Sequence, residues 1–104
     1  MAISSLPHIP TPELIETEGD AFGKMILKIT TSAERAPIRD YGRCLLAGYP
    51  PSSRTTVLLF QALSKLSNRL PGYLRLVGIL SRDPADLSRF EDRIALYIAQ
   101  HEVQ

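Results

Sequence analysis

The chain has 104 residues, of which 44% are hydrophobic and 22% are charged, a composition typical of one soluble globular domain. Cys44 has no second cysteine to form an intramolecular disulfide, and apolar runs such as Val57–Phe60 are far too short to span a membrane. The net charge is only +1, but residues 24–82 carry ten Lys and Arg against two acids, whereas residues 1–23 and 83–104 are both net acidic.

The N-terminal residues are the first feature along the chain. Residues 1–10 hold two prolines and show little periodicity, which predicts a flexible arm ahead of one globular domain over residues 11–104. They have no basic segment and no long apolar segment of the kind found in a signal peptide, so we expect a cytoplasmic protein. The stretch TPELIETEG then predicts a short helix capped by Thr11, with Pro12 in its first turn and Gly19 at its end.

Three segments with different sequence patterns follow. The stretch GKMILKITT predicts a strand, because apolar and polar side chains alternate along it. The stretch SAERA is typical of a polar connector. The stretch PIRDYGRCLLAG fits a helix with Pro37 in its first turn and Gly48 just past its end, although Gly42 weakens this prediction. A strand over Arg43–Tyr49 is the alternative.

The segment from Ser53 to Asn68 gives the strongest helix signal. Its apolar stripe follows helical spacing and comprises Leu59, Leu63, Leu66 and Leu70, widened by Val57, Phe60 and Ala62. After Pro71-Gly72, the stretch GYLRLVGILS predicts a central strand that is apolar on both faces, with a buried helix as the alternative. The last helix is expected to be capped by Asp83 and to begin at Pro84. Its buried stripe is expected to be Leu87, Phe90, Ile94 and Tyr97 or Ile98.

These elements predict an α+β domain in which three to four helices pack on a short two- or three-stranded sheet. Two strands alone are marginally stable, so either residues 43–49 supply a third strand or a sheet edge pairs with a second copy. The second option predicts a homodimer.

Motifs for catalysis and for metal binding are weak. One cysteine and two distant histidines cannot form a tetrahedral zinc site, and no carboxylate pair stands out as an acid–base couple. Cys44 stands beside Leu45 and Leu46 without a neighbouring base, which is typical of a small core residue. We therefore expect no enzyme, no catalytic residue, no cofactor and no metal.

The stretch AGYPPSSRTT, at residues 47–56, is the strongest candidate for an anion site. Helix N-termini attract anions through free N–H groups, and Arg54 would add a cation. Serine and threonine also cap helices without any ligand, and the glycine-rich phosphate loop is absent. We expect Ser52 or Ser53 to cap the helix, with an anion site as the alternative.

The basic middle of the chain is the remaining candidate surface. It attracts an anionic partner, or else the acidic ends fold back over it. We interpret the chain as a non-enzymatic, self-associating adaptor, assembly or regulatory module that presents a basic surface to an acidic protein. The alternative is an accessory protein that binds RNA or single-stranded nucleic acid through arginines and tyrosines. The candidate residues for either partner are Arg35, Arg39, Arg43, Arg54, Arg69, Arg75, Ser52, Ser53 and Tyr49.

Overall fold

The computed structural model describes residues 10–102, and these residues form a helical bundle. Its elements are α1 (Pro12–Ile29), α2 (Ser32–Ala47), α3 (Ser53–Leu66), a 3-10 turn (Ser67–Arg69), α4 (Tyr73–Leu80) and α5 (Pro84–His101). The predicted α+β class is wrong, because no strand and no sheet occur in residues 10–102. The predicted flexible arm lies outside the described residues except for its last residue. None of the described helices is both long enough and apolar enough to cross a membrane.

The first helix is twice as long as expected. The Thr11 hydroxyl accepts a hydrogen bond from the Leu14 N–H at 3.1 Å, which confirms the cap. The helix continues past Gly19 to Ile29, so the strand predicted for GKMILKITT is wrong. Buried residues recur every three to four positions along one face of the helix. They are Ile15, Gly19, Phe22, Gly23 and Ile26.

The second helix begins where a connector was expected. Thr31 and Glu34 form a capping box, in which each side chain accepts a hydrogen bond from the backbone N–H of the other residue, at 3.2 and 2.8 Å. SAERA is therefore the first turn of α2, and Pro37 lies inside the helix rather than at its start. Gly48 follows the last helical residue with a left-handed φ of 78°, as expected. The alternative strand over Arg43–Tyr49 is wrong.

The last helix is the centre of the bundle, with α1 packed along one side and α2 along the other. The Asp83 carboxylate accepts a hydrogen bond from the Ala85 N–H at 2.9 Å and Pro84 is the first helical residue, both as predicted. Phe90, Ile94 and Ile98 are fully buried.

Glycines bring these helices unusually close. A Cβ atom at Gly42 would lie 2.6 Å from the Ala95 carbonyl carbon and 2.9 Å from the Ala99 Cβ. A Cβ atom at Gly23 would lie 2.9 Å from the Tyr97 Cβ. Only residues without a side chain fit at these two crossings, as in other helix pairs that pack through small residues.

The third helix packs against α2, and the short fourth helix packs against α5. Leu59, Leu63, Leu66 and Leu70 are buried as predicted. The expected widening of this stripe by Val57 and Phe60 is wrong, because these side chains are 49% and 48% exposed.

The fourth helix replaces a predicted strand. Residues Tyr73–Leu80 form one short helix, which is buried at its two ends and exposed at Leu74. The Tyr73 ring lies 5.4 Å from the Phe22 ring and 5.8 Å from the Phe90 ring, and this aromatic cluster fixes α4 against α1 and α5. The strand predicted from this apolar stretch is therefore wrong and the alternative, a helix, is correct, although the helix is buried only in part.

Candidate functional site

Two of the candidate arginines are held inside the fold. The Arg35 Nε donates to the Glu102 carboxylate, and the Arg35 Nη1 donates to the Thr30 carbonyl at 2.7 Å. Arg39 lies 3.4 Å from the same carboxylate, whose side chain is only 2% exposed. At this point the acidic C-terminal region folds back on the basic middle, and the Glu102 carboxylate pairs with both Arg35 and Arg39.

A third candidate arginine also has internal partners. The Arg69 Nη1 lies 3.0 Å from a Glu34 oxygen, and the Arg69 Nη2 donates to the Ile29 carbonyl. The pKa of Glu34 is lowered, first by its hydrogen bond from the Thr31 backbone and then by Arg69. Because both side chains of this pair are more than 40% exposed, the pair contributes little to stability.

The remaining candidates are exposed. Arg43, Arg54 and Arg75 form no ion pair with any residue between 10 and 102. Tyr49, 69% exposed, follows the end of α2. The structure thus places Arg54 and Arg75 on α3 and α4, and Arg43 and Tyr49 on or next to α2.

The helix start at AGYPPSSRTT is capped as expected. The Ser52 hydroxyl accepts a hydrogen bond from the Thr55 N–H at 3.1 Å and donates to the Thr55 hydroxyl at 3.0 Å. Ser53 is exposed in the first turn beside Arg54. The Ser52 cap is confirmed, and the anion site stays a prediction.

The exposed surface of α3 carries two different rows of side chains. One row follows the i, i+4, i+7, i+11 spacing and is called the cationic row, and it consists of Arg54, Leu58, Gln61 and Lys65. The other row follows the i, i+3, i+7 spacing, and it consists of Val57, Phe60 and Ser64. Phe60 and Ser64 of the second row line a groove that is also lined by residues of α4.

This α3–α4 groove has a volume of about 220 Å³, and it is lined by Phe60, Leu63, Ser64, Ser67, Tyr73, Leu74, Val77 and Glu91. Phe60 and Leu74 stand at its edges and are 48% and 59% exposed. A shallower recess lined by Phe60, Gln61, Ser64 and Lys65 continues from the groove across the outer surface of α3. Lys65 therefore borders this recess on the outer surface of α3, and it also lines the second groove, described below.

Glu91 is the one acidic residue in the lining of the groove. Partial burial raises the pKa of Glu91 to about 7, and the neighbouring Asp92 carboxylate adds to the shift. Burial also raises the pKa of Asp92, although Asp92 accepts a hydrogen bond from the Tyr41 hydroxyl at 2.9 Å. Near neutral pH, Glu91 is thus divided between its charged and its neutral form.

A second groove lies on the opposite side of α3. It has a volume of about 340 Å³, and it is lined by Ala33, Glu34, Pro37, Leu58, Gln61, Ala62, Lys65, Leu66 and Arg69. Pro37 has no N–H, so the Ala33 carbonyl lacks its usual helical donor. Glu34 and Arg69, which form an ion pair, both line this groove together with Lys65. Its lining therefore holds more charged side chains than that of the α3–α4 groove.

The sequence holds one further signal for this surface. Residues 41–82 contain six Lys and Arg and no Asp or Glu. This segment includes all of α3 and α4, so neither helix has a carboxylate of its own. Sequence reasoning missed Glu91 as part of the site, because its position in the groove depends on how α5 packs beneath the other two helices.

The exposed surface of α3 combines apolar side chains with cations. Cys44 is half-buried, and no group of three metal-ligating side chains occurs in residues 10–102. Exposed apolar side chains beside cations can dock a ligand that carries both apolar and negative groups. Comparison of the chain with protein-family models, with curated proteins and with solved structures finds no match.

Proposed function

We propose that this protein is a non-enzymatic adaptor that binds an acidic partner protein through the outer surface of α3 and α4. The observation that carries the proposal is the absence of any acid from residues 41–82, combined with the exposure of Phe60, which shares a recess with Lys65 on the outer surface of α3. Unpaired cations around an apolar patch attract acidic surfaces, and the apolar patch adds affinity by leaving water.

The tyrosines favour a protein partner over a nucleic acid. Single-strand binders stack bases on exposed rings. Tyr73 is only 4% exposed, and the Tyr41 hydroxyl is bound to Asp92, which leaves Tyr49 as the one largely exposed ring of the three. Half of the eight residues that line the α3–α4 groove are Phe, Leu or Val, and such apolar side chains suit a protein partner better.

Self-association was predicted from an unpaired strand edge, and residues 10–102 offer no such edge. Two copies that met through α3 and α4 would also bring Arg54, Lys65 and Arg75 together without a carboxylate from either helix. The acidic partner is therefore a different chain.

Fluorescence anisotropy with a labelled acidic Glu/Leu peptide and with a single-stranded oligouridine tests this proposal. We expect the peptide to bind, more weakly as salt increases, and the double variant R54E/K65E to lose about tenfold in affinity. The matched control is R43E, which reverses an exposed charge on α2 and should bind as the wild type does. Tighter binding of the oligouridine than of the peptide would favour the nucleic-acid alternative and contradict the proposal.

A further inference from the structure

The α3–α4 groove contains two polar groups that have no bonding partner within residues 10–102. Tyr73 and Glu91 both line the groove. Tyr73 is only 4% exposed, yet its hydroxyl forms no hydrogen bond with any described residue. The Glu91 carboxylate forms neither a hydrogen bond nor an ion pair with them. Since buried polar groups normally have partners, this pair marks the groove as a candidate ligand site.

The free hydroxyl and the carboxylate belong to the same part of the fold. Every fully buried side-chain oxygen or nitrogen in residues 10–102 has a partner, so the Tyr73 hydroxyl must keep some contact with solvent. The groove that Tyr73 lines can supply this contact. Burial raises the pKa of Tyr73, and the negative charge of Glu91 raises it further, an effect that weakens with distance. The groove thus combines a hydroxyl and a nearby carboxylate with apolar side chains.

We infer that the α3–α4 groove binds a small hydrophobic amine in its ammonium form, whose N–H groups donate to the Glu91 carboxylate and to the Tyr73 hydroxyl. The apolar part of the ligand lies on Phe60, Leu74 and Val77, which also line the groove. Glu91 carries the one formal charge in this lining, so charge complementarity calls for a cation. Hydrogen bonds from an ammonium to a carboxylate are among the stronger ones in proteins.

The size and surroundings of the groove favour a small ligand over a basic peptide. Its volume of about 220 Å³ is smaller than that of a site for a drug-sized molecule, which is roughly 300–1,000 Å³. Residues 41–82 contain six Lys and Arg and no acid, and Lys65 borders the adjoining recess. A peptide with several cations would be repelled by these residues, whereas a single ammonium needs only the carboxylate inside the groove.

Three small probes test the charge requirement by NMR titration of the isotope-labelled protein. Phenethylamine, phenethyl alcohol and hydrocinnamate share a phenyl group and carry a positive charge, no charge and a negative charge. We expect phenethylamine to bind about tenfold more tightly than the alcohol, and hydrocinnamate to bind most weakly. The largest chemical-shift changes should fall on Tyr73, Leu74 and Glu91.

Variants then assign the two polar contacts. E91Q should weaken binding of phenethylamine by about tenfold and leave binding of the neutral alcohol unchanged. Y73F keeps the ring and removes the hydroxyl, and it should weaken phenethylamine by about threefold. The matched control is E34Q, the same substitution at a carboxylate that lines the groove on the other side of α3, and it should bind phenethylamine as the wild type does.

The pH dependence of binding gives an independent measurement. The ionisable groups around Glu91 are Asp92 on the same helix, Tyr73 from α4 and Tyr41 from α2, with Lys65 of α3 in the adjoining recess. Glu91 has a pKa of about 7, so its charged fraction rises between pH 6 and pH 8. An alkylammonium stays charged over this range, since the ordinary pKa of lysine is about 10.4. The affinity for phenethylamine should therefore rise by about tenfold, and E91Q should abolish the rise.

Each other outcome would overturn the inference. Equal binding of phenethylamine and phenethyl alcohol would remove the need for a cation. Unchanged binding by E91Q, or a pH dependence that persists in it, would assign the charge to another group. A loss of binding in E34Q would place the amine in the other groove. Tighter binding of a Lys/Leu peptide than of phenethylamine would assign the groove to a basic protein segment. These results leave the acidic-partner proposal standing, because that proposal is tested with an acidic peptide.

Discussion

The half of the bundle formed by α1, α2 and α5 differs from the half formed by α3 and α4 in how closely its helices approach. In the first half, the backbones meet through Gly19, Gly23 and Gly42, where a side chain would overlap its neighbours. In the second half, Phe60 and Leu74 extend into solvent beside an open groove.

The two halves also differ in how their charges are compensated. Arg35, Arg39 and Arg93 are paired with Glu102 and Asp20 in the first half. On α3 and α4, Arg54, Lys65 and Arg75 have no ion-pair partner within residues 10–102. The comparison indicates a closely packed scaffold that carries a surface left available for binding.

The largest effect is expected at the closest contact of the scaffold. G42A should destabilise the protein by about 3 kcal/mol, because the new methyl group would overlap the backbone of Ala95. The control is G78A on α4, where a Cβ atom meets nothing within 4 Å. G78A should stabilise by about 1 kcal/mol, since alanine favours a helix over glycine. Urea denaturation measures both, and equal effects would show that the halves do not differ in packing.

The second effect tests the buried ion pairs against an exposed one. E102Q should lower the free energy of unfolding by about 2 kcal/mol, because it leaves Arg35 and Arg39 without the carboxylate they share. The control E34Q affects a pair whose partners are both more than 40% exposed, and it should cost much less than E102Q. Glutamine at position 34 also preserves the capping box. A cost for E34Q as large as that for E102Q would contradict the contrast.

The third effect is a pH dependence that arises in the groove. Glu91 has a pKa of about 7 in the folded protein, above its ordinary value of 4.5. The unfolded state loses this proton first, so the stability that Glu91 contributes is fully present below pH 4.5 and is lost as pH rises through 7. E91Q should therefore stabilise the protein at pH 8 by about 1 kcal/mol, a value reduced by the partial exposure of the group. At pH 4 it should have little effect. Denaturation of both proteins at the two pH values measures this, and an equal difference at both would exclude the linkage.

The smallest effect is expected at the edges of the groove. F60S and L74S should lower the free energy of unfolding by about 1 kcal/mol at most, because about half of each side chain is exposed. Thermal or urea denaturation measures both variants. A loss of several kcal/mol would mean that these residues belong to the core, and their exposure would then give no reason to propose a binding surface.

The sequence predicted best those features that depend on neighbouring residues. The caps by Thr11, Ser52 and Asp83 were correct because each involves a backbone N–H within three residues. The stripe of leucines in α3 was correct for the same reason, since helical periodicity is local.

Features that depend on distant contacts were predicted poorly. Gly19 and Gly42 were interpreted as signs of a helix end and of a weak helix, whereas they are contact points against α5. Alternation in GKMILKITT suggested a strand because Gly23 was not counted on the buried face with Phe22 and Ile26. Without α5 in place, neither these glycines nor the position of Glu91 in the groove can be deduced from residue order.

Chemical-shift mapping by NMR tests the central claim most directly, namely that α3 and α4 form the binding surface and the other three helices form its scaffold. The isotope-labelled protein would be titrated with the acidic Glu/Leu peptide. The account predicts that the largest changes fall on Phe60, Ser64, Lys65, Leu74 and Glu91, with α1 and the glycine contacts unchanged. Changes concentrated on α1 or α2, or no changes at saturating peptide, would contradict it.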